Sequence, residues 1–203
     1  MNGSVLLEQV LQQDIIEWAG LVMGLIYIFL AVYEKPSCWI FGILSSGAIA
    51  LKSFLDYKLM ADGMLQLFYI LIGIIGIWNW MTERVGQHEK PITHSPLIYH
   101  LIAITVCLLL SLPISSLLIT YAGAKYGFID TAITLLSIWA TILLVQKDLH
   151  NWIYWIILDA VLVWLYYVSG GYLFSLLFLI YTIIAVFGFF QWRHQVKVFE
   201  PGT

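Results

Sequence analysis

The feature that most constrains this chain is a series of apolar stretches long enough to cross a membrane. A helix needs about 20 mostly apolar residues to span a bilayer, and seven stretches approach or exceed that length, some of them with the help of their flanks. A membrane β-strand would instead alternate apolar and polar residues over about ten positions, and these stretches do not alternate. The sequence therefore predicts an all-α integral membrane protein with seven transmembrane helices. The predicted spans are 18–32, 38–55, 59–80, 96–121, 129–145, 152–168 and 172–192.

Composition supports lipid as the surroundings of most of the chain. Hydrophobic residues make up 62% of the sequence and charged residues only 10%, whereas soluble domains carry about a quarter charged residues. The net charge of −3 offers no basic surface for nucleic acid. We therefore expect membrane lipid, and no nucleic acid, among the partners of this protein.

The first three spans resemble the last three. The segment CWIFGILSS at 38–46 aligns with NWIYWIILD at 151–159, and YILIGIIGIWNW at 69–80 aligns with YTIIAVFGFFQW at 181–192. A single linker helix between the triplets returns the second one to the membrane in the same orientation, which makes the repeat parallel. The predicted 3+1+3 organisation is an N-terminal segment (1–16), a first three-helix bundle (17–82), a linker helix (96–123), a second three-helix bundle (128–194) and a tail (195–203).

Lysine and arginine counts in the breaks predict the orientation, because these residues accumulate on the cytoplasmic side. One side of the membrane receives three of them and the other receives six. The three are Lys52, Lys58 and Lys125, and the six are Lys35, Arg84, Lys90, Lys147, Arg193 and Lys197. This places the N-terminal segment outside and the C-terminal tail in the cytoplasm.

Asp159 is the clearest polar exception inside a span, where a charged group costs about 3 kcal/mol or more. Trp152, Trp155 and Asp159 have the spacing i, i+3, i+7 and share one helical face. Two indoles beside a carboxylate suit a flat or cationic organic ligand, through stacking, cation–π attraction and a hydrogen bond or charge. The alternatives are an interfacial belt for the tryptophans and a structural bond between helices for Asp159.

Further polar or aromatic residues lie on matching faces of the second and third spans. Trp39 and Ser46 have the same spacing as Trp152 and Asp159, and Gln66 lies well inside the third span. Trp39 could equally be an interface anchor and Gln66 a bond between helices. The predicted substrate-binding residues are Trp39, Gln66, Trp152, Trp155 and Asp159, with Ser46, Tyr69 and Asn79 as further candidates.

Several kinds of chemistry find no support in the sequence. It contains no GxxxxGK[ST] phosphate loop, no HExxH motif and no Ser-His-Asp set at membrane depth. The five histidines fall in breaks or near span ends without metal-ligand spacing. We therefore predict no catalytic residue, no metal site and no cofactor. Because few ionisable groups are buried, the sequence also favours passive over ion-coupled transport.

Two motifs resemble those of the Pnu family of bacterial vitamin transporters. They are A-D-x-x-L-Q at 61–66 and W-x-x-W-x-x-x-[ND] at 152–159, and the resemblance covers about 17–192. It implies two three-helix bundles joined by a linker helix, like the SWEET sugar transporters, in the bacterial inner membrane. It also implies facilitated diffusion, a cytoplasmic kinase that traps the vitamin, and a homotrimer. By the same resemblance, Trp152, Trp155 and position 159 belong to the substrate site, with Gln66 and Trp39 as companions.

Two departures from the family pattern bear on the substrate. The nicotinamide riboside carriers of the family typically have Asn where this chain has Asp159, and the W-N-W-P-like start of the second span appears here as SCWI at 37–40. Nicotinamide riboside and thiamine are both cationic, so both remain candidates for facilitated uptake. The alternatives are a SWEET-like carrier of another small polar metabolite, an intramembrane enzyme, and a structural or sensory membrane protein.

Overall fold

The computed structural model describes residues 3–56, 60–85, 91–122 and 127–196. Its regular elements within these ranges are eight α-helices. They are α1 (Gly3–Gln12), α2 (Ile15–Val32), α3 (Cys38–Leu55), α4 (Met60–Val85), α5 (Leu97–Ala122), α6 (Gly127–Val145), α7 (Asn151–Val168) and α8 (Tyr172–Gln195). Helices α2 to α8 are each long and apolar enough to cross a membrane. The prediction of an all-α protein with seven membrane helices is therefore confirmed.

Two helices differ most from the prediction, and α2 and α8 each extend three residues beyond their predicted spans. Helix α4 continues to Val85, five residues past the predicted span end at Trp80, and α1 lies within the N-terminal segment for which no helix was predicted. Both differences have one cause: a hydropathy criterion detects contact with lipid, whereas helix formation continues through polar residues such as Thr82.

The membrane orientation stays a prediction, and four of the nine lysines and arginines on which it rests lie outside the described ranges. These are Lys58, Lys90, Lys125 and Lys197.

Asp14 begins the first membrane helix as its N-cap. Its Oδ1 accepts hydrogen bonds from the backbone N–H groups of Ile16 and Glu17, both at 2.9 Å, and the Glu17 carboxylate accepts one from the Asp14 N–H. This capping box satisfies amide groups that the first turn of a helix leaves unpaired. The Lys52 ammonium lies 2.6 Å from Asp14 Oδ2 and, together with the backbone amides, lowers the pKa of Asp14. The cap therefore stays ionised near neutral pH.

Replacing Asp14 by alanine is expected to destabilise the protein by about 1 kcal/mol, the typical cost of losing an N-cap. Asp56→Ala is the matched control, because Asp56 also contacts Lys52 but does not cap α2. Thermal denaturation in detergent should show the larger fall in Tm for Asp14→Ala. Equal shifts for the two variants would mean that Asp14 acts through Lys52 rather than through the cap.

The helices pack in two groups of three. Helix α3 contacts both α2 and α4, and α7 contacts both α6 and α8, while α5 packs on α6. The groups meet along two seams, one between α2 and α8 and one between α4 and α6. These contacts are compatible with the predicted 3+1+3 organisation.

Four buried tryptophans, Trp39, Trp80, Trp152 and Trp192, form what we call the tryptophan cluster, and each is at most 2% exposed. Trp39 meets Trp80 edge-to-face at 5.4 Å, and Trp152 meets Trp192 in the same way at 5.4 Å. Edge-to-face pairs of this kind add stability beyond the area they bury. The two pairs join the groups, because the Trp80 and Trp192 rings lie 6.3 Å apart.

Glycines make room for the cluster on both sides. A Cβ atom at Gly76 would lie 2.4 Å from the Trp39 ring, and one at Gly188 would lie 2.7 Å from the Trp152 ring. Separations this short are steric clashes, so any larger residue would displace the ring. Gly76 and Gly188 are aligned positions of the sequence repeat, and the repeat thus preserves the space that each indole needs.

Each seam is closed at the cluster by an indole hydrogen bond. Trp80 Nε1 donates to the carbonyl of Val145 at 3.0 Å, and Trp192 Nε1 donates to the carbonyl of Val32 at 3.0 Å. Val32 and Val145 end α2 and α6, the first helices of the two groups. Their terminal carbonyls have no partner within their own helix, and the opposite group supplies one.

The turns that follow α2 and α6 also match. Glu34 and Lys147 are both in the left-handed backbone region, at φ 52° and 56°. Their side chains form an ion pair at 3.1 Å, and the Lys147 ammonium lies 5.2 Å from the centre of the Trp80 ring. A mostly buried charge pair thus ties the two groups together beside the tryptophan cluster.

Candidate functional site

Two of the predicted site residues, Trp39 and Trp152, belong to the tryptophan cluster at one end of the bundles. They are 2% and 1% exposed, so neither is the lipid-facing anchor of an interfacial belt. Both indole N–H groups lack a hydrogen-bond partner in the described part of the chain. Trp155 is half-buried and packs against the cluster. It lies one turn further along α7 and so stands between the cluster and Asp159.

Asp159 lies in the middle of α7. It follows the first residue of α7 by eight positions, which places it about 12 Å along the helix at 1.5 Å per residue. The side chain is 2% exposed, and its Oδ2 has no hydrogen-bond partner among the described atoms. A buried carboxylate without a partner is costly. The structure therefore does not support the alternative in which Oδ2 makes a structural bond between helices.

The seam between α2 and α8 passes beside Asp159. The hydroxyl oxygen of Tyr181 on α8 would be 2.6 Å from a Cβ at Gly24 of α2. The Ser45 hydroxyl of α3 also comes to this point, 3.2 Å from the same Cβ position, and donates to the Gly20 carbonyl at 2.8 Å. Polar groups of α8, α3 and α2 thus meet around Gly24.

The seam between α4 and α6 has a matching arrangement. The Tyr69 hydroxyl donates to Ser137 Oγ at 3.0 Å across the seam. Gln66 lies one turn before Tyr69 on α4 and is 9% exposed. Gln66 is on α4 and Asp159 is on α7, two helices that make no contact within the described residues, so the two predicted polar residues lie beside different seams.

Tyr27 adds an aromatic ring to α2 near the first of these regions. It lies one turn beyond Gly24, and its ring fills the space over Gly42 of α3, where a Cβ would be 3.0 Å away. We use the name polar centre for the polar groups of the helix interiors beside the two seams, which are Tyr27, Tyr69, Tyr181, Gln66 and Asp159. The phenol rings offer faces for a cation and hydroxyl groups for hydrogen bonds.

The two remaining candidates have different surroundings. Ser46 is 9% exposed at the middle of α3 and aligns with Asp159 in the sequence repeat. Asn79 donates a hydrogen bond to the Val145 carbonyl at 2.8 Å, beside the Trp80 indole. Asn79 therefore contributes to the closure of a seam at the tryptophan cluster, away from the polar centre.

Sequence reasoning missed Tyr27, Ser45, Ser137 and Tyr181. For Tyr181 a signal existed, because it aligns with the candidate Tyr69 in the repeat. The repeat also aligns Gly24 with Ser137, the two positions that these tyrosines face across the seams. Tyr27 carries no such signal, since its aligned position is Ala140.

Comparisons with known proteins agree on one family. Residues 14–194 match the family model described as "Nicotinamide mononucleotide transporter". Two similar curated relatives are the nicotinamide riboside transporters PnuC of Escherichia coli (strain K12) and of Shigella flexneri. Each is 26% identical over 214 residues, which covers 93% of this chain and 88% of the relative. A solved structure described as the vitamin B3 transporter PnuC superposes with a TM-score of 0.71 at 19% identity, covering 96% of this chain and 88% of that one.

Proposed function

We propose, from the premise that the chain belongs to the nicotinamide mononucleotide transporter family, that it carries a cationic, ring-bearing vitamin across the membrane by facilitated diffusion. Nicotinamide riboside is the first candidate, because the curated relatives are named for it. Thiamine is the second, because Asp159 stands where the nicotinamide riboside carriers of the family typically have Asn.

The observation that carries this proposal is the buried Oδ2 of Asp159 in the middle of α7, which has no hydrogen-bond partner among the described residues. A buried carboxylate is stabilised by a cation that reaches it, and the interaction is strong where water is scarce. Pyridinium and thiazolium rings are flat and positively charged, and the rings of Tyr27, Tyr181 and Trp155 offer faces for cation–π contact nearby.

The charge distribution argues against a phosphorylated vitamin. Each described lysine and arginine side chain lies in a turn or in the last turns of a helix: Lys35, Lys52, Lys147 and Arg193. A phosphate at the polar centre would meet a carboxylate and no described cationic side chain, whereas phosphate sites usually carry arginine or lysine. We therefore propose that the substrate is the dephosphorylated, positively charged form.

The closed tryptophan cluster fits a transporter that opens one end at a time. If the orientation predicted from lysine and arginine counts holds, the cluster and the Glu34–Lys147 ion pair lie at the cytoplasmic end. The ion pair and the two indole hydrogen bonds would then break when the seams open to that side. We further propose that a cytoplasmic kinase retains the vitamin by phosphorylation, and that the protein assembles as a homotrimer by analogy with its family.

The decisive test is a binding panel with purified protein. Calorimetry with nicotinamide riboside, thiamine, nicotinamide mononucleotide and neutral nicotinamide should give saturable binding only for one or both of the first two. Recovery of the ligand unchanged would separate a carrier from an enzyme. Preferred binding of the mononucleotide would contradict the charge argument, and uptake into vesicles that collapses with a protonophore would contradict facilitated diffusion.

Trp155→Ala is expected to weaken vitamin binding about tenfold, which corresponds to about 1.4 kcal/mol. The substitution removes the aromatic face closest to Asp159 along α7. Trp155→Phe should restore most of the affinity, because a flat ring remains. The matched control is Trp164→Ala, since Trp164 is 53% exposed on the same helix. Equal losses for Trp155→Ala and Trp164→Ala would remove Trp155 from the site.

A further inference from the structure

Three potential metal ligands lie close together near the end of helices α6 to α8 that carries the tryptophan cluster. One of the three is far from the other two in the sequence, so their spacing along the chain did not indicate a site. They are His100 in the first turns of α5, Asp148 in the turn between α6 and α7, and His150, which precedes α7. One ligand atom from each lies within 4.8 Å of the others. The sequence prediction of no metal site rested on short spacings along the chain, and His100 and Asp148 are separated by most of two helices.

Two of the three separations between these ligand atoms are close to the edges of a tetrahedral zinc site, and the third is within 4.8 Å. His100 Nε2 lies 3.1 Å from His150 Nδ1, and His150 Nδ1 lies 3.2 Å from Asp148 Oδ1. In a tetrahedron with bonds of 2.0–2.1 Å, ligand atoms are about 3.3 Å apart. Two imidazole nitrogens and one carboxylate oxygen are ligands that zinc commonly uses. A cation between them would displace the proton that His150 Nδ1 can share with His100 Nε2 or Asp148 Oδ1, and would bond to all three atoms.

Backbone groups hold the carboxylate in place. Asp148 Oδ1 accepts a hydrogen bond from the His150 N–H at 2.8 Å, and Asp148 Oδ2 accepts one from the Ser95 N–H at 2.7 Å. Thr93 fixes the same turn from the other side, donating to the Lys147 carbonyl and accepting from the Leu149 N–H. The turn is therefore preorganised, and ligand orientation does not depend on the ion alone.

His100 is held in place by a contact through its second ring nitrogen. His100 is 6% exposed, and its Nδ1 lies 3.2 Å from the Tyr154 hydroxyl. A metal-bound histidine usually bonds through its second ring nitrogen to a neighbouring group, which fixes the tautomer. With Nδ1 protonated and directed to Tyr154, the lone pair of Nε2 faces His150 and Asp148.

We propose that His100, Asp148 and His150 bind a divalent, nitrogen-preferring transition metal ion, with Zn²⁺ as the probe. The site fastens the linker helix α5 to the start of α7, so its effect is on the docking of α5 rather than on the polar centre. Water completes the coordination, and the exposed His94 lies beside the site, with its ring centre 6.1 Å from that of His150. The proposal stands independently of the transported vitamin.

Zinc binding is measured on full-length protein in detergent, purified without a polyhistidine tag and treated with a chelator. We expect one equivalent of Zn²⁺ and a rise in Tm of roughly 5 °C at a free concentration one hundred times the Kd. Cobalt should give the intense visible absorption of a tetrahedral site. No saturable binding up to about 0.1 mM free Zn²⁺ would overturn the proposal.

Variants decide whether these residues are the ligands. His100→Gln should weaken zinc binding at least tenfold and abolish the cobalt absorption, because it removes a ligand and leaves the backbone contacts of Asp148 intact. Asp148→Asn is the second variant, and circular dichroism checks its folding because Asp148 supports the start of α7. The matched control, His194→Gln, changes an exposed histidine in the last turn of α8 and should bind zinc as the unmodified protein does. Unchanged stoichiometry and affinity in His100→Gln would overturn the assignment.

Discussion

Replacing Asp159 by alanine is expected to weaken the binding of the cationic vitamin by about 2 kcal/mol or more, roughly thirtyfold. The reason is the position of the carboxylate, which is 2% exposed and has one oxygen without a hydrogen-bond partner in the described chain. A ligand cation at this point would supply the missing partner. Isothermal titration calorimetry with nicotinamide riboside and with thiamine measures the loss directly.

Asp159→Asn separates charge from shape. The amide keeps the volume and one acceptor oxygen, so a ligand recognised through a hydrogen bond should lose less affinity than one recognised through its positive charge. The family resemblance implies Asn at this position in nicotinamide riboside carriers, so we expect thiamine to lose more affinity than nicotinamide riboside. Asp130→Asn is the matched control, since it removes a carboxylate from an exposed position at the start of α6.

The stability of the ligand-free protein should change in the opposite direction. Removing an uncompensated buried carboxylate relieves its desolvation cost, so Asp159→Asn is expected to raise the Tm without ligand while it lowers affinity. A higher Tm together with a lower affinity is expected if Asp159 binds the ligand, and is not expected if Asp159 stabilises the helix packing. If Asp159→Asn lowered the Tm and left affinity unchanged, Asp159 would be a structural residue of the helix packing.

The seven membrane helices were predictable because lipid imposes a simple demand on sequence. A span must be apolar over its whole length, and this demand is local, so each span can be found without knowledge of its neighbours. Helix α1 escaped prediction because it meets no such demand. Instead, Gln9 holds it through contacts with distant residues, donating to the Gly170 carbonyl at 2.6 Å and accepting from the Leu173 N–H at 3.0 Å.

The polar centre was predictable only in part, because its residues meet across seams. Asp159 and Gln66 stood out as polar groups within apolar runs, a signal that one helix carries alone. Tyr27 and Ser137 gave no such signal, because a tyrosine or serine costs little in a membrane helix and its role depends on what it faces. Tyr181 could have been found by applying the repeat to Tyr69. The repeat therefore contains more information about the site than the individual helices do.

The repeat also changes the interpretation of the tryptophans. Spacing on one face grouped Trp152 with Asp159, yet the structure places Trp152 against Trp192, with its indole over Gly188. Trp152 and Asp159 lie about two turns apart on one face of α7. The same face therefore contributes to the tryptophan cluster at one level and to the polar centre at the next. The assignment of Trp39 and Trp152 to the substrate site stays a prediction. Their indole N–H groups have no partner in the described chain and could bind substrate once the cluster opens.

Trp192→Ala is expected to destabilise the protein by about 3–5 kcal/mol, the usual cost of truncating a buried tryptophan. Trp192 is fully buried, contacts two other rings and donates a hydrogen bond to the end of α2. The corresponding fall in Tm is roughly 10 °C for a chain of this size. Trp78→Ala is the matched control, because Trp78 is 75% exposed, and it should leave the Tm nearly unchanged.

Trp192→Phe separates the contribution of ring packing to stability from that of the indole hydrogen bond. Phenylalanine keeps an aromatic ring in the cluster but removes the donor, which leaves the Val32 carbonyl without its partner, at a cost of about 1–3 kcal/mol. Trp80→Phe should cost less, because the Val145 carbonyl that loses the Trp80 N–H keeps its hydrogen bond from Asn79 at 2.8 Å. A large effect at one position and none at the other would show that only one seam depends on its indole bond.

The double variant tests whether the two halves of the cluster act as one unit. Trp80 and Trp192 belong to different groups of helices but their rings lie 6.3 Å apart, so their substitutions should couple rather than add. Once Trp80→Ala has opened the cluster, Trp192→Ala should cost less than it does alone, by about 0.5 kcal/mol or more. Strict additivity would instead describe two independent aromatic pairs, and the seams would then be able to open separately. A coupled cluster requires that both seams release together, which is what a transporter needs if its two groups of helices are to move apart at one end of the membrane.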